Sequence, residues 1–428
     1  MQIAEDWVEN PILAGTNHKT LKDAAPRHAA ANTVIHAAFA ATGIVSVLLG
    51  PILPILISRW SLTDEHAGVF FVTQYVGQLA GSLSTGLIIP IRRFGYRLTF
   101  VVGFTLIAIG VAALSVGSER FGLPGTALYG YGLGLTLSGG NLWVAEIFPT
   151  RRATAVSILN VTWTAGAIAC GPLVMLAERA DKLGTFLVSV AVFMAICGAL
   201  IAVREIEPPG HFVGESSFEQ DRPAQVLANG FANERLGFAA TRRIHGPLAF
   251  ALASLFFLYV GTETAVGGWV AAYANRVEAV SAMMSALTPA FFWSGLLAGR
   301  ALAPVLLRTI AEKILVASGL VLAMFAVGGV MFSTTYRMAT FCAVLAGLGL
   351  ACVYPILVGW MVKFYGAHAR RFGSILFACG GLGGAALPWL VGLVSTHDGG
   401  LRVGLMVPIA ACVAMLLINV VCSRRFAS

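Results

Sequence analysis

Charged residues are scarce in this chain of 428 residues: only 11% are Asp, Glu, Lys or Arg, while 57% are hydrophobic. A soluble domain has about 25% charged and about 45–50% apolar residues, so the composition excludes an ordinary soluble fold. Apolar runs of about 20 residues recur from end to end, and each is long enough to cross a hydrocarbon core of about 30 Å. The composition therefore predicts an all-α, polytopic membrane protein.

Paired cysteines and catalytic motifs are also lacking. The seven cysteines lie in apolar segments without paired spacing, so we expect neither a disulfide framework nor a metal site. No glycine-rich phosphate loop and no nucleophile–base pair is visible, which argues against ATP as an energy source and against an enzyme. Residues 1–30 are polar and contain no apolar stretch of signal-peptide length. We expect no cofactor.

Twelve transmembrane spans follow from the apolar runs, joined by short links with one exception. The exception, residues 204–245, carries charges, Pro208-Pro209 and no sustained apolar run, which is typical of a linker. The predicted organisation is a tail at 1–30, a six-helix bundle at 31–203, the linker at 204–245, a second six-helix bundle at 246–423 and a tail at 424–428. The predicted spans are 34–58, 67–90, 97–117, 122–147, 154–177, 184–203, 248–274, 283–306, 313–333, 339–362, 373–395 and 401–422.

The positive charges are distributed unevenly between the two sides of this topology. With the N-terminus inside, twenty of the 28 Lys and Arg residues fall in cytoplasmic segments and seven in outer segments, and Arg300 lies within a span. An excess of Lys and Arg marks the cytoplasmic side. We therefore predict a multi-pass protein of the cell inner membrane with both termini and the linker in the cytoplasm. The net charge of +8 reflects this topology and predicts no nucleic-acid partner.

The two predicted bundles resemble each other at a nearly constant offset of 215 to 219 residues. Four matches occur in the same order in both halves, which predicts two pseudo-symmetric six-helix bundles of parallel topology. Glycine and alanine crowd these segments, and in lipid such residues let helices pack closely; the same seams are also where the halves could rock. The matched pairs are Gly77–Gly81 with Gly295–Gly299, Gly132–Leu135 with Gly347–Leu350, Pro172 with Pro388, and Arg151-Arg152 with Arg370-Arg371.

Glu263 is the acidic residue that lies deepest in an apolar run. A carboxylate in hydrocarbon is costly, so it normally faces a cavity and handles ions, protons or substrate. If no cation lies beside it, such a carboxyl can exchange a proton near neutral pH, and we predict proton coupling at Glu263. The alternative is a structural carboxylate bonded to neighbouring helices. Gly267-Gly268 could bend this helix one turn further on.

Arg300 is the obvious cation to test against Glu263. Taking the helices as straight, with a rise of about 1.5 Å per residue, the two side chains differ in depth by about 13 Å. A direct pair is therefore not expected. We predict instead a structural role in which Arg300 bonds helix-end carbonyls or extends its side chain to the cytoplasmic side.

Polar and aromatic residues deep in the spans are candidates for solute binding. Primary amides offer donors and an acceptor, which suits hydroxyl-rich solutes, although the same groups could bond only neighbouring helices. Tryptophan rings stack on sugar rings or planar drugs equally well. Trp269 lies on a different face from Glu263 unless the helix distorts at Gly267-Gly268. The candidates are Gln74, Gln78, Asn141, Asn160, Trp163, Tyr259, Trp269 and Trp293.

A charge cluster is predicted at the cytoplasmic end of span 4. The segment from Glu146 to Arg152 closes this span with an acid, a proline and two arginines. We expect it to meet the arginines that follow span 2 and to form a latch that opens during transport. The residues of this predicted cluster are Arg92, Arg93, Glu146, Arg151 and Arg152.

Several segments resemble a known superfamily. The loop Arg92-Arg93-Phe94-Gly95-Tyr96-Arg97 is similar to the signature between spans 2 and 3 of the major facilitator superfamily, without its usual Asp. The segment from Tyr259 to Tyr273, with Gly268-Trp269, resembles span 7 of the fucose–galactose–glucose–proton symporter branch. Phe292-Trp293-Ser294-Gly295 through Arg300 resembles its span 8, and Leu159-Asn160 resembles its span 5.

The resemblance implies transport of hexoses or similar small polar solutes together with protons, by alternating access. Members of the fucose type carry carboxylates in spans 1 and 4. This chain has Leu49-Gly50-Pro51 and Leu137 at those positions, so the fucose-type proton relay is not implied here.

Our prediction is a monomeric secondary transporter whose partners are a small solute, protons and the lipid bilayer. One alternative is a proton-coupled exporter of drugs or amphipathic metabolites, which a mostly apolar, aromatic cavity would also suit. Another is a sensor on a transporter scaffold that binds a solute without moving it. The direction of solute movement distinguishes the symporter from the exporter. Flux in liposomes distinguishes either transporter from the sensor.

Overall fold

A computed structural model describes residues 18–89, 94–148, 152–204, 206, 246–277, 280–365 and 369–425. These residues form sixteen helices and no β-strand. The helices are α1 His18–Val47, α2 Leu49–Trp60, α3 Asp64–Ile88, α4 Gly95–Ser115, α5 Glu119–Ile147, α6 Arg152–Arg179, α7 Leu183–Ala202, α8 Gly246–Val277, α9 Ala282–Ser285, α10 Thr288–Leu306, α11 Glu312–Met331, α12 Tyr336–Leu350, α13 Val353–Tyr365, α14 Ala369–His397, α15 Leu401–Gly404 and α16 Met406–Arg425.

The described helices group into twelve spans, which confirms the all-α, twelve-helix prediction. Nine segments are long and apolar enough to cross a membrane, and the bent pair α1–α2 makes a tenth. Helices α3 and α5 complete the set, with glycine and polar side chains along them. Three predicted spans are each built from two helices, namely α9 with α10, α12 with α13, and α15 with α16.

Span 1 is broken near its middle, which the apolar pattern did not predict. Helices α1 and α2 meet at Leu48 with a bend of 43°. Pro51 has no N–H to donate to the carbonyl of Val47, so the regular hydrogen-bond ladder cannot continue through this turn. The break brings Gly50 against the other bundle, where a methyl group on it would lie 2.7 Å from the carbonyl oxygen of Gly267.

The glycine matches between the halves correspond to equivalent helix seams. A methyl group on Gly77 would lie 2.4 Å from the carbonyl oxygen of Ala127, where α3 packs on α5. In the other half, a methyl group on Gly295 would lie 2.1 Å from the carbonyl oxygen of Val344, where α10 packs on α12. The backbones touch in both places, as expected for small-residue packing in lipid. The repeated glycines therefore mark the same seam in each pseudo-symmetric bundle.

The most extensive contacts between the two bundles are made by three helix pairs: α3 with α14, α2 with α8, and α6 with α10. This interface positions the candidate site described below. Most of the predicted linker and parts of both predicted tails lie outside the described residues. The stretch 18–30 of the predicted N-terminal tail is helical and belongs to α1.

Candidate solute site between the two bundles

A cavity of about 80 Å³ lies between the bundles and is lined by helices from both of them. It is large enough for several water molecules. Among the described residues that line it, none is charged. Leu49, Gly50 and Leu137 belong to the lining, so the positions where fucose-type members carry carboxylates face this cavity without a charge. The remaining lining residues are Ser46, Val47, Phe71, Gln74, Tyr75, Gln78, Trp163, Thr264, Gly267, Gly268 and Trp293.

The two candidate glutamines differ in their hydrogen bonding, although both line the cavity. The amide of Gln74 donates to the carbonyl of Ser46 at 2.9 Å and accepts from the hydroxyl of Tyr129 at 2.9 Å. Its side chain is buried. Gln78 makes no hydrogen bond to the described part of the chain, so its donors and acceptor remain available. The amide of Gln74 therefore joins helices, whereas the amide of Gln78 is available to bind a solute.

Two of the deep tryptophans line the cavity from opposite bundles. Trp163 and Trp293 pack edge to face with their ring centroids 5.8 Å apart. The indole N–H of Trp163 donates to the hydroxyl of Ser46 at 3.2 Å, whereas that of Trp293 is buried and has no partner among the described residues. A buried donor left unpaired costs free energy, so this N–H is a candidate for pairing with a solute.

Trp269 does not line the cavity, and its predicted solute contact finds no support in the geometry. Its ring is fully buried, and its indole N–H donates to the carbonyl of Pro388 at 2.8 Å, which ties α8 to α14. Gly267-Gly268 do not break α8, which runs as one helix from Gly246 to Val277. These glycines instead make room for aromatic rings: a methyl group on Gly268 would lie 2.5 Å from the ring of Phe71.

The two candidate asparagines bond each other. The amide of Asn160 donates to the side-chain oxygen of Asn141 at 3.1 Å, so the hairpin of spans 4 and 5 brings them to comparable depth as predicted. Each also donates to a backbone carbonyl of its own helix, Asn141 to Leu137 and Asn160 to Val156. Neither lines the cavity. This arrangement favours the helix-bonding alternative over direct solute contact.

Glu263 and Arg300 form an ion pair, which overturns the prediction that they lie too far apart. An Nη of Arg300 donates to a carboxylate oxygen of Glu263 at 3.3 Å, and the side chains are 30% and 13% exposed. The depth argument failed because it compared backbone positions only. The long side chain of Arg300 reaches across the difference in depth to the carboxylate of Glu263.

Tyr259 lies beside this pair and not in the cavity. It is fully buried, its ring is 5.6 Å from that of Tyr354, and its hydroxyl lies near both Glu263 and Arg300 without a hydrogen bond of regular geometry to any described residue. Thr264 follows Glu263 in α8 and lines the cavity, where its hydroxyl lies 3.1 Å from that of Tyr75 of the opposite bundle. Glu263 therefore sits in α8 next to the cavity, and Thr264 with Tyr75 bridges the bundles there.

The predicted latch around Glu146 cannot be traced, because Arg92, Arg93 and Arg151 lie outside the described residues. Glu146 itself is exposed near the end of α5. The latch remains a prediction.

Sequence reasoning missed a polar cluster at the opposite end of the bundle interface. The carboxylate of Asp64, at the start of α3, accepts two hydrogen bonds from the guanidinium of Arg276, one of them at 2.7 Å, and a further one from the hydroxyl of Ser395. Glu65 pairs with His397 at 3.2 Å, and its backbone N–H donates to the hydroxyl of Thr396 at 2.9 Å. Asp64 lies just before one apolar run and Arg276 just after another, but no local sequence pattern predicts that the two residues are in contact.

Sequence comparison decides the family of this helical arrangement. The profile of the Major Facilitator Superfamily matches residues 35–388. The chain belongs to the major facilitator superfamily. The superfamily prediction is thereby confirmed, and members of this superfamily are transporters and not enzymes.

Individual relatives are distant but cover most of the chain. The glucose/mannose transporter GlcP of Bacillus subtilis is 22% identical over 371 residues, which cover 85% of this chain and 87% of the relative. The structure of a D-xylose-proton symporter superposes with a TM-score of 0.72 at 15% identity, covering 91% of this chain and 96% of the other. The E. coli fucose:proton symporter gives a TM-score of 0.57 at 17% identity, with coverages of 94% and 99%. The structural likenesses show the shared fold, and the sequence relatives place this transporter near sugar carriers.

Proposed function

We propose that this transporter moves a small, uncharged, hydroxyl-rich solute of the hexose type across the cell inner membrane in symport with protons. The two bundles, 31–203 and 246–423, would act as the rocking units of an alternating-access cycle, with both termini and the linker in the cytoplasm. The observation that carries the proposal is the cavity between the bundles, which combines a free amide with aromatic rings and no charge.

The chemistry of the lining supports an uncharged solute. A charged solute would leave its charge unpaired in this cavity, which is costly away from water. Gln78 can both donate and accept, as alternating hydroxyls on a ring require. Trp163 and Trp293 supply flat apolar faces for the ring, and the N–H of Trp293 supplies a further donor. The sugar named for the relative GlcP is consistent with this chemistry.

Proton coupling is proposed at Glu263, with a role for Arg300 that the sequence did not suggest. While Glu263 is ionised, it holds Arg300 at 3.3 Å. Protonation of Glu263 removes the charge attraction and releases the guanidinium, which changes the hydrogen bonding beside Thr264. Because Glu263 directly precedes the cavity-lining Thr264 in α8, a proton taken up here can be linked to solute occupancy.

The function is tested with purified protein in liposomes. We expect an imposed inward proton gradient to drive accumulation of at least one of D-glucose, D-mannose, D-xylose or L-fucose, and the solute to drive proton entry in return. Failure of all four sugars to bind or move would contradict the sugar-type proposal. Outward movement of dyes driven by the same gradient would favour the exporter, and binding without flux would favour the sensor.

Gln78 and Gln74 provide a matched pair for testing the solute site. We expect Gln78→Ala to weaken solute affinity by about 5-fold or more, because leaving a desolvated solute hydroxyl without its partner costs about 1–3 kcal/mol. The protein should keep its melting temperature, since Gln78 bonds nothing in the described chain. The KM for uptake and the solute-induced shift in Tm measure the solute affinity, and the Tm without solute measures the stability.

Gln74→Ala should show the reverse pattern. It breaks two bonds between helices, to Ser46 and Tyr129, and leaves a buried tyrosine hydroxyl without its acceptor. We expect a loss of thermal stability that exceeds any change in KM. If Gln74→Ala lost solute affinity while Gln78→Ala did not, the assignment of the free amide would be wrong.

A further inference from the structure

We propose that Asp64 is the central residue of a gate that closes one end of the pathway between the bundles, an end that faces outward in the proposed topology. The gate consists of Asp64 and Glu65 of α3, Arg276 of α8, and Ser395, Thr396 and His397 of α14. The inference rests on the proposed alternating-access cycle, and its test requires no solute and no proton gradient.

The first argument is that one carboxylate joins two helices of the opposite bundle. Asp64 accepts from Arg276 at the end of α8 and from Ser395 in the last turn of α14. Loss of its charge therefore weakens contacts to both helices at once. Its side chain is 10% exposed, whereas that of Arg276 is 40% exposed, so the pair sits at the rim of the interface with one partner reachable by water.

The second argument is that the backbones of the bundles come into contact beside this carboxylate. A methyl group on Gly392 of α14 would lie 2.3 Å from the backbone carbonyl oxygen of Asp64. A methyl group on Gly68 would lie 2.9 Å from the Cα of Trp389. No solute passes between helices in such contact, so this end is closed while the charge cluster is intact.

The third argument concerns reversibility. At the Asp64 end, each ion pair between the bundles includes one well-exposed partner, Arg276 at 40% and His397 at 62%. Water can replace exposed hydrogen bonds at little cost, so these contacts can break and re-form in each cycle. The volume of the cavity, about 80 Å³, is below the about 300 Å³ of a typical ligand pocket, so solute entry requires such an opening.

The chain supplies a matched control at the same end of the molecule. Arg59 and Glu178 form an ion pair at 3.2 Å with exposures of 45% and 21%, but both belong to the N-terminal bundle. Breaking this pair removes a comparable surface contact without touching the interface between the bundles. A change seen on neutralising Asp64 but not Glu178 therefore reports the gate and not a general effect of charge.

The test measures the separation of the bundles at this end in lipid nanodiscs. Spin labels replace Arg120 and Arg337, exposed residues at the starts of α5 and α12, in protein with Cys379 and Cys422 changed to Ser. We expect Asp64→Asn to increase the population with the longer label distance by about 10-fold, within the range typical of coupling between two conformations. Arg276→Gln, which breaks the same pair from the other side, should act in the same direction.

Glu178→Gln should leave the distance distribution of the wild type unchanged. The charge-exchanged double variant Asp64→Arg/Arg276→Asp should recover part of the short distance, since it restores the pair but not the bond from Ser395. The proposal is overturned if both Asp64→Asn and Arg276→Gln keep the wild-type distribution, or if Glu178→Gln shifts it equally. Because neither solute nor proton enters the measurement, a failure here is distinct from a failure of sugar–proton symport.

Discussion

Glu263→Gln is expected to abolish proton-driven accumulation of solute while leaving exchange of solute across the membrane intact. Glutamine keeps the length of the side chain and a carbonyl that can accept from Arg300, so the buried guanidinium retains a partner. What the variant loses is the ability to bind and release a proton. Accumulation above equilibrium should therefore fall to the level of protein-free liposomes, whereas counterflow between labelled and unlabelled solute continues.

The measurement compares uptake driven by an imposed pH gradient with counterflow at equal pH, in the same liposome preparation. Glu178→Gln serves as the control, because that carboxylate is also paired with an arginine but lies at the end of span 5. Both activities should survive in the control. Accumulation at the wild-type rate by Glu263→Gln would show that the proton is carried elsewhere.

A second variant distinguishes the loss of proton binding at Glu263 from the loss of its ion pair with Arg300. Removing Arg300 alone leaves the mostly buried carboxylate of Glu263 without its cation, which destabilises the folded state. We therefore expect Arg300→Gln to lower the melting temperature markedly. The double variant Glu263→Gln/Arg300→Gln should recover most of that stability without recovering proton-driven accumulation. Recovery of accumulation in the double variant would assign the role of Glu263 to structure alone.

Of the variants proposed here, Gly383→Val is expected to lower the melting temperature most. A side chain at this position would place its Cβ 1.9 Å from the backbone carbonyl oxygen of Phe257, where α14 packs on α8. A backbone atom cannot move aside as a flexible side chain can, so the helices must separate. Overpacking a tight interface costs about 1–3 kcal/mol, and a collision with backbone belongs at or above the upper end of that range.

Gly381 supplies the control on the same helix. Nothing lies within 4 Å of a methyl group placed on Gly381. Gly381→Ala should be neutral or slightly stabilising, because alanine is the better helix former by about 1 kcal/mol in an exposed helix. Thermal denaturation of the detergent-solubilised protein, followed by size-exclusion chromatography, compares the variants. A Gly383→Val protein as stable as Gly381→Ala would mean that this seam is not a packing contact.

The position of Glu263 in the structure changes the physical account of the coupling. An isolated carboxyl in lipid would exchange its proton because burial penalises its charge. When the carboxylate is paired with Arg300, protonation displaces the guanidinium, because the proton and the guanidinium compete for the same oxygens. The same residue thus remains the proposed coupling site, but the event that follows protonation is the release of an arginine beside the cavity.

The apolar runs were sufficient to predict the architecture, because membrane insertion depends on local properties of the chain. Twenty consecutive apolar residues must form a helix in lipid, where each backbone polar group has to be satisfied internally. The seam glycines Gly77 and Gly295 could likewise be matched by their offset, since close packing demands a small residue wherever the seam occurs. The bend in span 1 was not predicted, because the apolar pattern continues through Leu48, where α1 and α2 meet.

The roles of individual polar residues depended on the tertiary structure. Gln74 and Gln78 are one turn apart and chemically identical, and only the neighbours Ser46 and Tyr129 make one of them a supporting amide. Glu263 and Arg300 were predicted to lie too far apart because the depth comparison used backbone positions and left out the reach of the long side chains. Asp64 and Arg276 are 212 residues apart, and their contact exists only because two bundles close on each other. Local hydrophobicity determines which segments cross the membrane, whereas helix rotation and bundle docking determine which side chains meet.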